Sequence, residues 1–250
     1  MTVGIVIACK DGIVIGADRK IVRSRGTRIK SLDDKIFQSS FKDGRNFLIC
    51  SSGGADFAKR AMQEIDPNKF VEEMDCSSYR DMVEGKIAYL TYSLRQRAIE
   101  YDATLLYGTI DLDKKPTIGH ITSTGLTETK NEGYFTTGIA APYAEMVLQD
   151  SYSKNMDIQD AKLITAALID RIGKVDNDVE GVDVILLNSK NKIAKLSWAE
   201  RQGIEEEPLS FDFTDELDDL RRVIGEWQAV WEEALKEKGK ESKGQTKKRT

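Results

Sequence analysis

Histidine is almost absent from this sequence. The single one, His120, lies in the alternating run TIGHITS. A Ser-His-Asp or Cys-His catalytic site would have to be built on it, and nothing beside it in the chain marks it for that role. Metal sites that need several histidines are excluded. The alternation instead places His120 in a strand, as a structural residue. Cysteine is scarce too. Cys9, Cys50 and Cys76 are far apart, odd in number and contain no CxxC. That pattern fits reduced thiols in a cytoplasmic protein better than a disulfide framework. Cys9 and Cys50 sit inside apolar runs, as small core residues do. There is no GxxxxGK[ST] and no GxGxxG, so nucleotide-binding folds have no anchor. The N-terminal apolar run GIVIAC is far too short to span a bilayer, and it lacks the flanks of a secretory signal. Neither sign of charge dominates. A net charge of -5 over 250 residues gives no global attraction to nucleic acid or to an anionic membrane.

What is present suits a soluble protein with a full core: 40% of residues are hydrophobic and 32% are charged. The length fits one large domain, or one domain with an appendage. The first stretch, TVGIVIACKDGIVIGADRKIVRSRGTRIKSLDDK, organises the rest. VGIVIAC and IVIGAD are β-branched runs around Lys10-Asp11-Gly12, a hairpin signal, and their continuous apolarity predicts strands buried on both faces. Residues 19–34 are polar and basic and read as a loop. KIFQSS and NFLICSS are the next strands, with a turn at 42–45. Ser51-Ser52-Gly53-Gly54 then precedes a helix, ADFAKRAMQEI, a junction able to offer backbone N–H groups to an oxyanion.

Ser77 or Ser78 is placed to cap a long helix running to about Glu100. ATLLYGTIDL, PTIGHITST and EGYFTTGI read as strands. Pro142 fits the first turn of a helix. Asp157 starts another, with Ile158, Ala161, Leu163, Ile164, Ala167, Leu168 and Ile172 on its expected buried side. A final hairpin turns at 188–192. The order strands, two helices, strands, two helices, strands predicts a layered α+β sandwich with helices outside.

Beyond a domain over residues 2–200, residues 201–213 read as an acidic linker. Residues 214–237 read as an amphipathic helix in which Leu217, Leu220, Ile224, Trp227, Trp231 and Ala234 keep heptad spacing. That stripe would either fold back on the parent domain or meet a partner. Residues 238–250 are lysine-rich and apolar-poor, the composition of a disordered tail.

Thr2 is the candidate nucleophile. A small residue in second place normally allows removal of Met1, which would leave Thr2 with a hydroxyl and a free amine on one residue. That is one of the few ways to activate an alcohol without histidine. Asp18 and Lys35 are the charged residues at the ends of the flanking apolar runs.

These residues resemble the opening of proteasome β subunits and of their bacterial relative HslV, N-terminal-nucleophile (Ntn) hydrolases that begin with a catalytic threonine, a strand, a K-D-G-like hairpin and an A-A-D or A-G-D strand end. Asp18 stands sixteen residues after Thr2, as in the family, and DDKIF resembles the segment carrying the family's lysine, here Lys35. YFTTGIAAPYAEMVLQDSYSKNMDIQDAKLI and RIGKVDNDVEGVDVILL resemble two later family segments, so the likeness runs from Thr2 to about Trp198.

The resemblance implies a four-layer αββα fold, here with an extra C-terminal helix, and amide hydrolysis without metal or organic cofactor. By position Thr2 would be the nucleophile, its amine the proton acceptor, Lys35 the charge that lowers the hydroxyl's pKa, and Asp18 the residue that holds Lys35. Asp176 would support the N-terminus, and the backbone N–H of Ser51 or Ser52 would be the oxyanion donor. Peptides or unfolded proteins would be the substrates. A homo-oligomeric ring would be the assembly, with α-type subunits or an ATPase as candidate partners. Neither nucleic acid nor membrane is expected as a partner.

The sequence departs from the family at two serines. Ile139 stands where GSGSP carries the first, and DNDVEG is a shortened form of the segment carrying the second. Thr136, Thr137 and Asn177 are the nearby polar candidates to stand in. The departures keep two other readings open: a catalytically inactive, assembly-type subunit working through its C-terminal helix, and a peptidyl transferase.

Overall fold

The computed structural model describes residues 3–25, 27–32, 35–70, 74–96, 103–125, 127–176 and 179–198. The chain divides into two units at Ile204. All described residues lie in the first; Thr2, the linker, the heptad stripe and the lysine-rich tail are not among them.

Strands β1 (Val3–Cys9) and β2 (Gly12–Ala17) form the expected hairpin, and every residue of both is buried. They can be apolar throughout because both faces are covered. β10 (Gly133–Gly138) pairs with β1, while β11 (Val182–Asn188) and β12 (Ile193–Trp198) extend the sheet beyond β2, giving the order β10-β1-β2-β11-β12. All its pairs are antiparallel. Helices α3 (Ala141–Ser151) and α4 (Ile158–Val175) pack on its outer face, α3 on β10 and α4 on β2 and β11. The close approach of α4 requires Gly16. A Cβ there would lie 2.2 Å from Thr165 Cγ2.

The second sheet has the order β5-β6-β7-β8-β9, built from β5 (Ile36–Ser40), β6 (Asn46–Gly53), β7 (Ala103–Ile110), β8 (Pro116–Thr122) and β9 (Thr127–Lys130). Its outer face carries α1 (Ala55–Ile65) and α2 (Cys76–Arg95). The layers therefore run helices, sheet, sheet, helices. The even-numbered residues Ile36, Leu48 and Cys50 face the first sheet, in a core with Val6, Ile13, Ile15, Leu106 and Ile185. The odd-numbered Phe47 and Ile49 face the helices. There Phe41, Phe47, Tyr79 and Tyr107 form edge-on and stacked pairs, and the Tyr79 hydroxyl donates to the Ile65 carbonyl at 2.6 Å. Full burial of each large apolar side chain contributes about 1.5–3 kcal/mol, so these two interiors dominate the stabilisation.

Four sequence expectations change. Residues 19–34 are not all loop: β3 (Lys20–Arg25) and β4 (Thr27–Leu32) form a separate two-stranded antiparallel hairpin. The β-branched Ile21, Val22, Thr27 and Ile29 favour extended backbone, and the ladder satisfies its polar groups without a continuous apolar run. β9 is a short polar edge strand, which no hydrophobic pattern announces. α2 starts at Cys76 and is capped by Asp75, whose carboxylate accepts the Ser78 N–H at 2.7 Å, so Ser77 and Ser78 lie inside the helix. On α4 the buried stripe is Ile158, Ala161, Lys162, Thr165, Ala166, Leu168, Ile169 and Ile172, while Leu163, Ile164 and Ala167 are half-buried. The glycines of β2 leave room for Ile158, Thr165 and Ile169 to press against the strand. Among the described residues no helix is long and apolar enough to cross a membrane.

Candidate active site

The start of β1 and the end of β2 meet at Asp18. The ladder pairs Gly4 with Ala17, and one residue further on Asp18 and Val3 are joined twice. The Asp18 N–H donates to the Val3 carbonyl at 3.2 Å, and the Val3 N–H donates to Asp18 Oδ1 at 2.9 Å. That second N–H belongs to the peptide bond between Thr2 and Val3, so the candidate nucleophile is covalently attached to a group held by Asp18. The other carboxylate oxygen, Oδ2, accepts Lys35 Nζ at 2.7 Å and the Lys20 N–H at 3.2 Å. Asp18 is 0% exposed and Lys35 6%.

Burial pushes the Asp18 carboxyl up from its ordinary range, opposed by the charge and hydrogen bond of Lys35. Burial likewise pushes the Lys35 ammonium down, opposed by Asp18. The pair is thus a strongly desolvated acid and base, each dependent on the other. Lys35 precedes Ile36, which pairs with Cys50 across β5 and β6. Cys50 is fully buried, and burial pushes its thiol up to about 12, so it is a neutral neighbour of the lysine. Cys9 and Cys76 are also buried and raised to about 12, chiefly by burial, which leaves all three thiols unsuited to nucleophilic work.

Ser51 and Ser52 lie near the end of β6, paired with Leu105 and Thr104 of β7. The ladder between β5 and β6 stops at Ile36 and Cys50, so this end of β6 runs on past the residue next to Lys35. Ser52 is buried, and its Oγ lies 2.6 Å from Thr137 Oγ1, a contact that crosses from the second sheet to β10 of the first. Thr137 pairs with Gly4 of β1. A Cβ at Gly4 would come within 2.9 Å of Thr137 Cγ2 and 3.2 Å of Cys50 Sγ, so only glycine leaves room for this packing.

The polar stand-ins separate. Thr137 turns inward to Ser52, whereas the Thr136 hydroxyl donates to exposed Glu145 at 3.0 Å. Asn177 lies outside the described residues. Ile139, which follows Gly138 at φ +94°, is 62% exposed. It is no part of the buried polar cluster.

Asp176 sits at the C-terminal end of α4, its N–H donating to the Ile172 carbonyl at 2.8 Å and its carbonyl accepting the Val179 N–H at 3.0 Å. The segment it begins returns to the Asp18 strand end. There the Arg19 N–H donates to the Glu180 carbonyl at 2.9 Å, and Lys20 Nζ pairs with Glu180 Oε2 at 2.7 Å. The structure therefore couples Asp18 and Lys35 directly and brings the segment after Asp176 to their neighbours. Sequence reasoning missed the Lys20–Glu180 tie and the Ser52–Thr137 contact. Only the alternation that puts Cys50 and Ser52 on one face hinted at the second.

His120 is half-buried on β8, stacked on Phe135 at 5.6 Å between ring centroids, and burial pushes its pKa down. Among the described residues no group of three His, Cys, Asp or Glu side chains is placed to hold a metal ion. A cavity of about 500 Å³ opens on the helix side of the second sheet, lined by Phe37, Met62, Ile65 and Pro67 among others. Asp18, Lys35 and Ser52 do not line it.

Several solved structures share this fold. The Anbu (Gly-1) mutant from Hyphomicrobium sp. strain MC1 superposes with a TM-score of 0.72 at 12% identity, covering 94% of this chain and 97% of that one. Anbu, described as an ancestral beta-subunit, from Yersinia bercovieri gives 0.71 at 12% identity, covering 94% and 97%. The Anbu complex from Pseudomonas aeruginosa, solved as a helical assembly, gives 0.67 at 10% identity, covering 94% and 96%. At such identities the likeness establishes the fold alone, that of proteasome-like Ntn proteins. In sequence, proteasome subunit beta 1 of Pyrobaculum aerophilum is 26% identical over 199 residues, 76% of this chain and 91% of that relative. A profile of the family described as proteasome subunit matches residues 2–185, most of the chain and all of the elements that build the Asp18–Lys35 pair, and the chain belongs to that family.

Proposed function

We propose that the chain is a threonine-type peptidase in which Thr2, exposed by removal of Met1, is the nucleophile. The observation that carries this reading is the Asp18 carboxylate, which holds the Thr2–Val3 peptide N–H on one oxygen and Lys35 on the other. In the proposed reaction the Thr2 hydroxyl attacks a substrate carbonyl and passes its proton to the Thr2 amine. The Lys35 cation, oriented by Asp18, favours the developing alkoxide. Backbone N–H groups at Ser51 or Ser52 receive the oxyanion. The tetrahedral intermediate collapses, the C–N bond breaks, and the leaving amine takes the proton. Water then resolves the acyl-enzyme ester. Asp176, at the head of the segment tied to Arg19 and Lys20, supports the N-terminal region. Peptides or unfolded proteins are the substrates, handled in the cytoplasm.

The helical assembly of the Anbu complex supports a further element of the reading, that this chain works as a homo-oligomer, in a closed ring or a helical array. α-type subunits or an ATPase are candidate partners for such an assembly. A second reading, a non-catalytic assembly subunit, is favoured by one observation: exposed Ile139 occupies the place of a family serine.

Intact mass spectrometry after incubation with a peptide epoxyketone separates the two. Loss of Met1 with one adduct on Thr2, abolished in Thr2→Ala and strongly reduced in Lys35→Ala, is the expected result. Retained Met1, or undiminished peptidase activity in Thr2→Ala, would overturn the assignment.

A further inference from the structure

The buried contact between Ser52 and Thr137 is unusual in its setting. It is a neutral hydroxyl pair at 2.6 Å, 7% and 4% exposed, bridging the two sheets. The Thr137 methyl, the Cys50 sulfur and Leu106 Cδ1 close in on Gly4 beside it. Stability alone does not call for such a pair, because two buried hydroxyls replaced together by apolar groups of the same shape are nearly neutral. Its location is specific. Thr137 is bonded into the ladder beside Gly4, two residues from Thr2. Ser52 is one of the two candidate oxyanion donors, two residues beyond Cys50 on β6, where it pairs with Thr104 of β7.

We infer that the Ser52–Thr137 pair is a positioning device: it fixes the Ser51–Ser52 backbone of β6 relative to the strand that begins with the nucleophile. The inference rests on the peptidase reading above. The two halves of the proposed site come from different sheets. Thr2 is attached to β1 of the first, and the proposed oxyanion donors lie on β6 of the second. Apolar packing between the sheets resists separation but is tolerant of sliding. A hydrogen bond has a direction, so it sets register across the gap. Thr137 acts through Ser52 and touches no substrate. Its alternation opposite to Thr136 aims it inward, and Gly4 leaves the space it needs. The pair also supplies two buried hydroxyls close in sequence to the place where the family serine is replaced by outward-facing Ile139.

The test uses the full chain and the rate of epoxyketone adduct formation at Thr2, resolved into the maximal inactivation rate and the inhibitor constant. Thr137→Val, Ser52→Ala and the double variant are compared with wild type at a temperature where all are folded. Each of the three should lower the maximal rate by about ten- to a hundredfold with the inhibitor constant unchanged, since misplacement of a catalytic group is costly in the transition state. Thr137→Ser, which keeps the hydroxyl, should recover most of it. The double variant should melt like wild type yet remain as slow as either single variant. A purely structural pair would give the opposite, with stability and rate restored together. A wild-type rate in Thr137→Val, or in Ser52→Ala should the first not fold, overturns the inference and leaves the peptidase reading standing. Absence of any adduct in the wild type overturns both.

Discussion

Asp18–Lys35 and Ser52–Thr137 are both buried polar contacts at the same end of the sandwich, one charged and one neutral. Both join an element of the first sheet to the second sheet or the segment that enters it. The charged contact is embedded in a network, for Asp18 also holds the amides of Val3 and Lys20. The neutral one is a single bond between two side chains. Such pairs respond differently to the loss of one member. A lone buried ion keeps its full desolvation penalty, whereas a lone hydroxyl loses one hydrogen bond. The charged pair is therefore the more brittle of the two, and the neutral pair the easier to dissect without unfolding the protein.

The largest expected effect tests that brittleness. Asp18→Ala leaves the Lys35 ammonium buried without its carboxylate and should destabilise the protein by about 3–5 kcal/mol, read from denaturant midpoints. A loss below about 1 kcal/mol would show that Lys35 finds water or another partner, and the contrast would fail. Gly4→Ala comes next. Its methyl group presses on Thr137 Cγ2 at 2.9 Å and Cys50 Sγ at 3.2 Å without touching Asp18. Overpacking of this kind costs about 1–3 kcal/mol, and hydrogen exchange should speed in β1 and β10 rather than around Lys35. Thr137→Val should cost about 1–2 kcal/mol by orphaning the Ser52 hydroxyl, with most of that loss recovered in the double variant Ser52→Ala/Thr137→Val. Additive losses in the double variant would mean the two hydroxyls do not act as a pair.

The smallest effect comes from His120, which belongs to neither pair. Its folded-state pKa lies below the ordinary 6.5 because burial disfavours the charged ring. The unfolded chain therefore takes up the proton first as pH falls. Stability should drop through the window just below 6.5, with a slope less than one full proton because the ring is half exposed. His120→Gln should flatten that slope in denaturation midpoints measured between pH 7 and 5.5. An unchanged slope would assign the acid sensitivity to groups other than His120; Asp18 is not among them, because its raised pKa favours the folded state as pH falls.

The same contrast explains what the sequence discloses. The β1–β2 hairpin, the Pro142 and Asp157 helix starts and the last hairpin are legible because turn chemistry and apolar period agree over short stretches. The pairing of Asp18 with Lys35 is legible through the resemblance, because both sit in one contiguous motif. The β3–β4 hairpin is not legible, since it lies in a polar stretch with no alternating apolar face to announce it. The cap of α2 is not Ser77 or Ser78, the residues the sequence reading offers, because the geometry selects Asp75. Ser52 and Thr137 are 85 residues apart, and their meeting depends on which faces of two separate sheets oppose each other. No local pattern encodes that. The rotated stripe of α4 is hidden for the same reason, because the shape of β2 decides which side chains fit.

Val3 is gripped from both sides by one residue, through its amide and its carbonyl. This clasp has a practical consequence. Because the anchorage lies downstream of residue 2, extra sequence placed ahead of that residue would hang from a fixed point and leave the sandwich intact. It would also convert the Thr2 amine into an amide. On the proposed peptidase reading, an affinity tag fused at the front of the chain should thus yield a well-folded protein with no threonine-type reactivity, and its proteolytic removal back to Thr2 should switch that reactivity on. Tag placement becomes a one-way chemical switch, achieved without altering a single residue of the fold.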